Sequence, residues 1–196
     1  AGIVGKDYEH VYEYLASYYR DIKDDLNLQV IMAKGKAAYP QNNFWNEIEM
    51  QQLTQSGNKK TMFAKYEELY VKDPNNYMNT FNYAIEMYNN IYKDAQDTSR
   101  IAKEKLTALL KTAIANDTTA NSTSLMANHL FNFAADYSTA AALIKSTKPE
   151  EIKKKKELNA LANAKMDETL PYTESIIKRY SSSAKLTRKQ KADDRL

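Results

Sequence analysis

The sequence predicts an all-α chain built of stacked helix pairs. Three observations carry that expectation. Apolar residues recur at intervals of three and four from one end to the other, with no stretch of strict alternation. Four glycines and four prolines in 196 residues are too few for the tight turns of a sandwich or barrel. Matching positions return at a fixed interval of 34 residues: Pro40 and Pro74, Ala16 with Met50 and Ala84, Met32 and Tyr66. A helix pair recurring at that period cannot bury its apolar face alone and must stack on its neighbours.

Each element follows from a stripe and its punctuation. Tyr8, Val11, Tyr12, Leu15, Tyr18 and Tyr19 form the apolar stripe of a first helix over 6–21. Asp24 and Asp25 are start signals for a second helix, reaching Tyr39, where Pro40 pushes the preceding residue out of the α region. A third helix over 43–55 ends at Ser56-Gly57-Asn58, and a fourth over 60–72 ends at Asp73-Pro74-Asn75-Asn76. The fifth spans 77–93, the sixth 99–116 and the seventh 121–145. Pro149, Glu150 and Glu151 place proline and acids in the first turn of a long eighth helix, reaching Arg179. Pro171 is expected to kink that helix or remove one hydrogen bond, Ser181–Ser183 to form a loop, and a ninth helix to start near Leu186.

Repeat one presents Tyr12, Leu15-Ala16, Tyr19, Gly35 and Pro40. Repeat two has Trp45 one place early and Glu49-Met50 in place of leucine and a small residue, then Gly57-Asn58, Phe63, Tyr66 and Asp73-Pro74-Asn75-Asn76. Repeat three has Phe81, Tyr83-Ala84 and Met87, and extra residues in its second helix move the next small residue to Ala127. Repeat four has Met126-Ala127 and Leu130-Phe131, continuing far downstream at Leu170-Pro171-Tyr172, Ile176 and Tyr180, with about 30 residues added by lengthening both helices. These residues resemble the tetratricopeptide repeat family. The Asn- and Tyr-rich composition and the lysines before Leu170-Pro171-Tyr172 resemble repeat proteins of the Bacteroidetes. The resemblance implies one α–α superhelix (solenoid) of about four helix pairs at 8–42, 43–76, 77–119 and 120–182. The last pair is lengthened, and 183–196 begins a further, truncated helix.

Composition excludes several kinds of chemistry. With no cysteine there is no disulfide framework, thiol nucleophile or thiolate metal site. Zinc, phosphate-loop and serine-elbow motifs are absent, and no apolar run is long enough to span a membrane. His10, beside Glu9 and Glu13, and His129, seven residues before Asp136, read as structural rather than catalytic. Glu47, Glu49, Glu67 and Glu68 read as solvated helix surface rather than an acid–base cluster. Residues 1–144 hold 14 basic and 17 acidic side chains, and 145–196 hold 14 and 8. The basic end has only Tyr172 and Tyr180 for stacking, so nucleic-acid binding is disfavoured.

In such arrays the resemblance implies a concave face lined by the first helix of each pair. That places Glu13 and Ser17, then Phe44, Glu47 and Gln51, then Met78, Phe81 and Tyr88, then Asn128, on a surface for a peptide or protein partner. A family subset grips a C-terminal carboxylate with Lys, Asn and Arg. Here the matching positions are Glu13, Ser17, Ile48, Met78 and Asn82, of which only Asn82 suits that task. The expected function is a protein–protein interaction scaffold, with no catalysis, cofactor or metal. The other reading is a helical accessory segment of a larger envelope or enzyme complex. Partner identity and oligomeric state stay open, as does location: periplasm or envelope if a leader was removed, cytoplasm otherwise.

Overall fold

A computed structural model of the chain describes residues 8–117 and 119–193, with side chains as far as residue 181. Among them are eight α-helices and one π-helical turn: α1 (Glu9–Asp21), α2 (Asp25–Ala38), α3 (Phe44–Ser56), α4 (Lys59–Lys72), α5 (Tyr77–Tyr88), the π turn (Asn89–Lys93), α6 (Arg100–Asn116), α7 (Asn121–Leu143) and α8 (Pro149–Asp193). The described residues contain no strand. The first seven helices begin and end within a residue or two of their punctuation where they are described.

Side-chain caps set the starts. Asp24 accepts from the Asn27 amide at 3.1 Å, Asn76 from Asn79 at 3.1 Å and Ser99 from Ala102 at 3.1 Å. Each satisfies a first-turn N–H that has no partner inside its helix. Gly57 ends α3 in the left-handed region (φ 68°), which a glycine adopts without steric cost.

Two elements differ from their expectation. Ser181–Ser183 is not a loop, and no ninth helix starts at Leu186: α8 runs without interruption to Asp193. Serine only weakly disfavours a helix interior, and no glycine or proline follows Pro171, so nothing stops propagation. Residues 194–196 lie outside the described residues. Pro171 itself sits inside α8. Lacking an N–H, it leaves the Asp167 carbonyl without its helical donor. The extra residues of repeat three fall in three places rather than one: the π turn, the linker 94–99, and an α6 of 17 residues.

The chain divides into two compact units, Ala1–Lys65 and Tyr66–Leu196, with the division inside α4. In the first, α1 packs on α2, and Ala16, Leu28, Met32, Trp45 and Ile48 form a core against which Tyr12, Tyr19, Ile31 and Phe44 lie. A Cβ built on Gly35 comes within 2.3 Å of the Trp45 ring carbons Cη2 and Cζ2, so the indole occupies the space a side chain would need. Helices α2 and α3 can thus approach closely at this point. Helix α3 meets the start of α4 through long side chains, with Lys65 Nζ 3.4 Å from Glu49 Oε2.

In the second unit α5 packs on α6, α6 on α7, and α7 along α8, while α5 also touches α7. Ala84, Leu106, Leu110, Ala113, Met126 and Leu130 are almost wholly buried in its core. Helices α7 and α8 run antiparallel: the Lys155 Nζ donates to the Ile144 carbonyl near the connection, while Lys165 stands over the Phe133 ring about three turns further along.

The Gly35–Trp45 contact gives a prediction whose sign separates two effects. Helix propensity alone favours Gly35→Ala by about 1 kcal/mol. Overlap with the indole is expected to win, destabilising the protein by about 1–3 kcal/mol. Thermal unfolding of the variant checks this, and a raised midpoint would show that the indole yields.

Candidate partner-binding surface

In the first unit, Asn42 assembles part of the expected surface. Its Nδ2 donates to Glu9 Oε1 at 2.9 Å and Glu13 Oε1 at 2.6 Å, and its Oδ1 accepts from the Phe44 amide at 2.9 Å. The start of α1 is thereby tied to the start of α3. His10 Nδ1 lies 3.0 Å from Glu13 Oε2. The hydrogen bonds from His10 and then Asn42 hold the Glu13 carboxyl below its ordinary range, while Glu13 raises the His10 imidazole above its own. Gln51 accepts from Arg20 Nη1 at 3.2 Å. Phe44 is half-buried with its ring edge-on to Trp45, Ser17 is half-buried, and Glu47 is exposed. In the sequence Asn42 is simply the second of the two polar residues, Gln41-Asn42, that follow Pro40.

In the second unit the expected residues lie on α5 and α7. Met78 is 60% exposed. Phe81 is half-buried and stacks on Tyr77, centroids 5.4 Å apart and planes 10° from parallel. Tyr88 accepts from Asn132 Nδ2 at 2.9 Å, which couples α5 to α7. Asn128 is exposed, and three residues on Phe131 is 53% exposed. Phe131 is legible in the sequence only as a repeat position. Its three-residue step from Asn128, which puts both on one helix face, is the signal that could have added it to the surface.

Beneath α5 and α7 lies a buried polar hub that the sequence does not reveal. The π turn is wider than an α turn and shifts the helical phase of its residues. Ile91 enters the core, and the Tyr92 hydroxyl comes 3.0 Å from His129 Nδ1. On the other side of the ring, His129 Nε2 lies 2.8 Å from Thr107 Oγ1, which itself donates to the Lys103 carbonyl at 3.0 Å. This pattern fits a neutral imidazole whose Nε2–H donates to Thr107 and whose Nδ1 accepts from Tyr92. Lys103 is buried as well. Its Nζ pairs with Asp136 Oδ2 at 2.6 Å and stands 5.4 Å from the Phe133 centroid and 6.0 Å from that of Tyr92. Burial, reinforced by the cations Lys165 and Lys103, lowers His129 to about 4, against a partial upward pull from the Lys103 backbone. Burial likewise raises the Tyr92 hydroxyl.

Glu49 and Glu67 have structural partners and are half-buried, so they are not the freely solvated surface expected of them. Glu49 is taken by Lys36 at 2.5 Å and by Lys65; burial raises its carboxyl, and the two cations outweigh that. Glu67 accepts from Lys105 and, at 2.6 Å, from the Tyr83 hydroxyl, which burial and that carboxylate push up to about 12. Among the described residues, no three His, Asp or Glu side chains gather as a metal site, and no helix is long and apolar enough to cross a membrane. What the second unit offers, taken by itself, is aromatic, thioether and amide groups on α5 and α7, backed by the hub.

No protein family, curated protein or solved structure matches this chain.

The hub predicts a pH dependence. Unfolded, His129 takes up a proton near its ordinary value of 6.5; folded, it does so only near 4. The unfolded chain therefore binds more protons between those values, and stability falls as pH drops from about 6.5 to about 4. His129→Gln is expected to flatten that part of the profile. Melting midpoints of both proteins across this range test it, and parallel profiles would show that His129 is not the titrating group.

Proposed function

We propose that the chain is a tetratricopeptide-like helical array that binds a peptide or protein partner on the first helices of its pairs and carries no catalytic step of its own. The observation that carries the reading is the apolar strip of the second unit. Met78, the Tyr77–Phe81 stack, Tyr88 and Phe131 lie exposed or half-exposed on α5 and α7, although the cores of both helices are already filled. Of these Met78 and Phe131 face solvent, and exposed apolar groups of this kind mark interaction sites. Tyr77 and Tyr88 add large rings with few rotors, while the Tyr77 hydroxyl is buried and that of Tyr88 accepts from Asn132.

The repeat spacing supports the same reading. Ala16 and Ala84 are both wholly buried, each within its own unit, as are Met32 and Tyr66 nearly so. Ala127, the expected continuation after the lengthened third repeat, is buried too. The small side chains Ala16, Ala84 and Ala127 are what close helix packing requires.

Selection of peptides from a displayed library against the protein tests the proposal. Met78→Asp changes an exposed side chain and is expected to leave the melting midpoint nearly unchanged. Peptides seated on this surface are expected to lose about 1–3 kcal/mol of binding, roughly a 5- to 150-fold loss. Selected peptides that bind the variant as well as the original protein would move the site elsewhere.

A further inference from the structure

Helices α6 and α8 both pack on α7 and leave a groove between them, a cavity of about 370 Å³. Clefts that hold small molecules begin at roughly 300 Å³. Met126 and Leu130 of α7 form an apolar floor, and Pro171 adds an apolar ring from α8.

The polar lining comes from both sides. Lys111 belongs to α6, and Lys165, Glu168 and Tyr172 to α8, spaced three and four apart on one helix face. Lys165 is already engaged. Its Nζ donates to Glu168 Oε1 at 2.9 Å and Oε2 at 2.8 Å, and it stands over the Phe133 ring. Thr107, also in the lining, is engaged too, between His129 Nε2 at 2.8 Å and the Lys103 carbonyl at 3.0 Å. Among the described residues, Lys111 Nζ and the Tyr172 hydroxyl have no hydrogen-bond partner. With Glu168 neutralised by Lys165, the groove keeps one positive charge in excess, beside an apolar floor. A single carboxylate on an apolar tail complements both features. An inorganic anion leaves the floor unused, and a dianion needs a second cation, which Glu168 withholds.

We propose that the α6–α8 groove binds a small organic monocarboxylate with an apolar tail. The head group pairs with Lys111, the Tyr172 hydroxyl serves as a second donor, and the tail lies over Met126 and Leu130. Glu168 limits affinity and sets the charge preference, because it holds Lys165 and repels further negative charge. The inference does not depend on the peptide-binding reading, which concerns α5 and α7.

Octanoate is the probe, followed by calorimetry and NMR shifts on the full chain. Saturable binding is expected, with shifts at Met126 and Leu130. Octanamide keeps the tail and lacks the charge, and it is expected to bind at least about tenfold more weakly. Octanoate is expected to lose as much on Lys111→Gln. Glu168→Gln frees Lys165 and is expected to tighten octanoate binding several-fold. Lys111 and Glu168 are both exposed, so the melting midpoints of these variants are expected to stay near that of the original protein. Met78→Asp, on the other surface, is expected to bind octanoate unchanged. No saturable binding, equal binding of octanamide, unchanged affinity in Lys111→Gln or Glu168→Gln, or loss of binding in Met78→Asp would each overturn the proposal.

Discussion

The His129 imidazole is where three elements of the 66–196 unit are tied together. Tyr92 reaches it from the π turn, Thr107 from α6, and the ring itself rises from α7. A buried imidazole left without partners would cost the full desolvation of two nitrogens. Both nitrogens are satisfied here, so the hub holds α6 and α7 in one relative register and fixes where α5 ends. Lys103 extends the constraint. Its ammonium group is accepted by Asp136 and by two ring faces, a geometry that lets a cation leave bulk water with partners on several sides. The Tyr88–Asn132 bond above this hub joins α5 and α7 again, on the side that carries the candidate surface.

Much of the helix pattern is legible in the sequence because it rests on local chemistry. Asp24, Asn76 and Ser99 are caps in the sequence and caps in space. Gly35 is legible as a small residue of its repeat, though not as the floor beneath an indole. That pairing joins two helices, and nothing near position 35 names Trp45 as the occupant. The Tyr92–His129 pair is hidden for a different reason. It depends on a π turn, and a regular 3.6-residue reading of 77–93 puts Tyr92 at another phase. Ser181–Ser183 misleads because serine favours turns without forbidding helix.

The candidate surface is legible in its members more than in its connections. Met78, Phe81, Tyr88 and Asn128 come from the resemblance, which puts the first helix of each pair on the binding face, and the helices do leave Met78 and Asn128 exposed. Asn42 and Asn132 escape that expectation, yet they bind the neighbouring helices together beside Glu13 and Tyr88. A side-chain amide both donates and accepts, so it can serve two helices at once. The asparagine-rich composition thus acquires a structural meaning that composition alone could not supply.

Pro171 divides α8 mechanically. Forty-five residues at about 1.5 Å each make a rod of roughly 68 Å. In a rod of this kind stiffness comes from the unbroken row of hydrogen bonds, and one rung is missing at the Asp167 carbonyl. Asp167 and Pro171 are both exposed, so water has access to that gap. Thr169 and Thr173 return their hydroxyls to backbone carbonyls of the turns on either side, at Lys165 and Leu170. Threonine bonds of this type favour curvature. Bending of α8 is therefore easiest in a single short segment, with stiffer helix on either side of it.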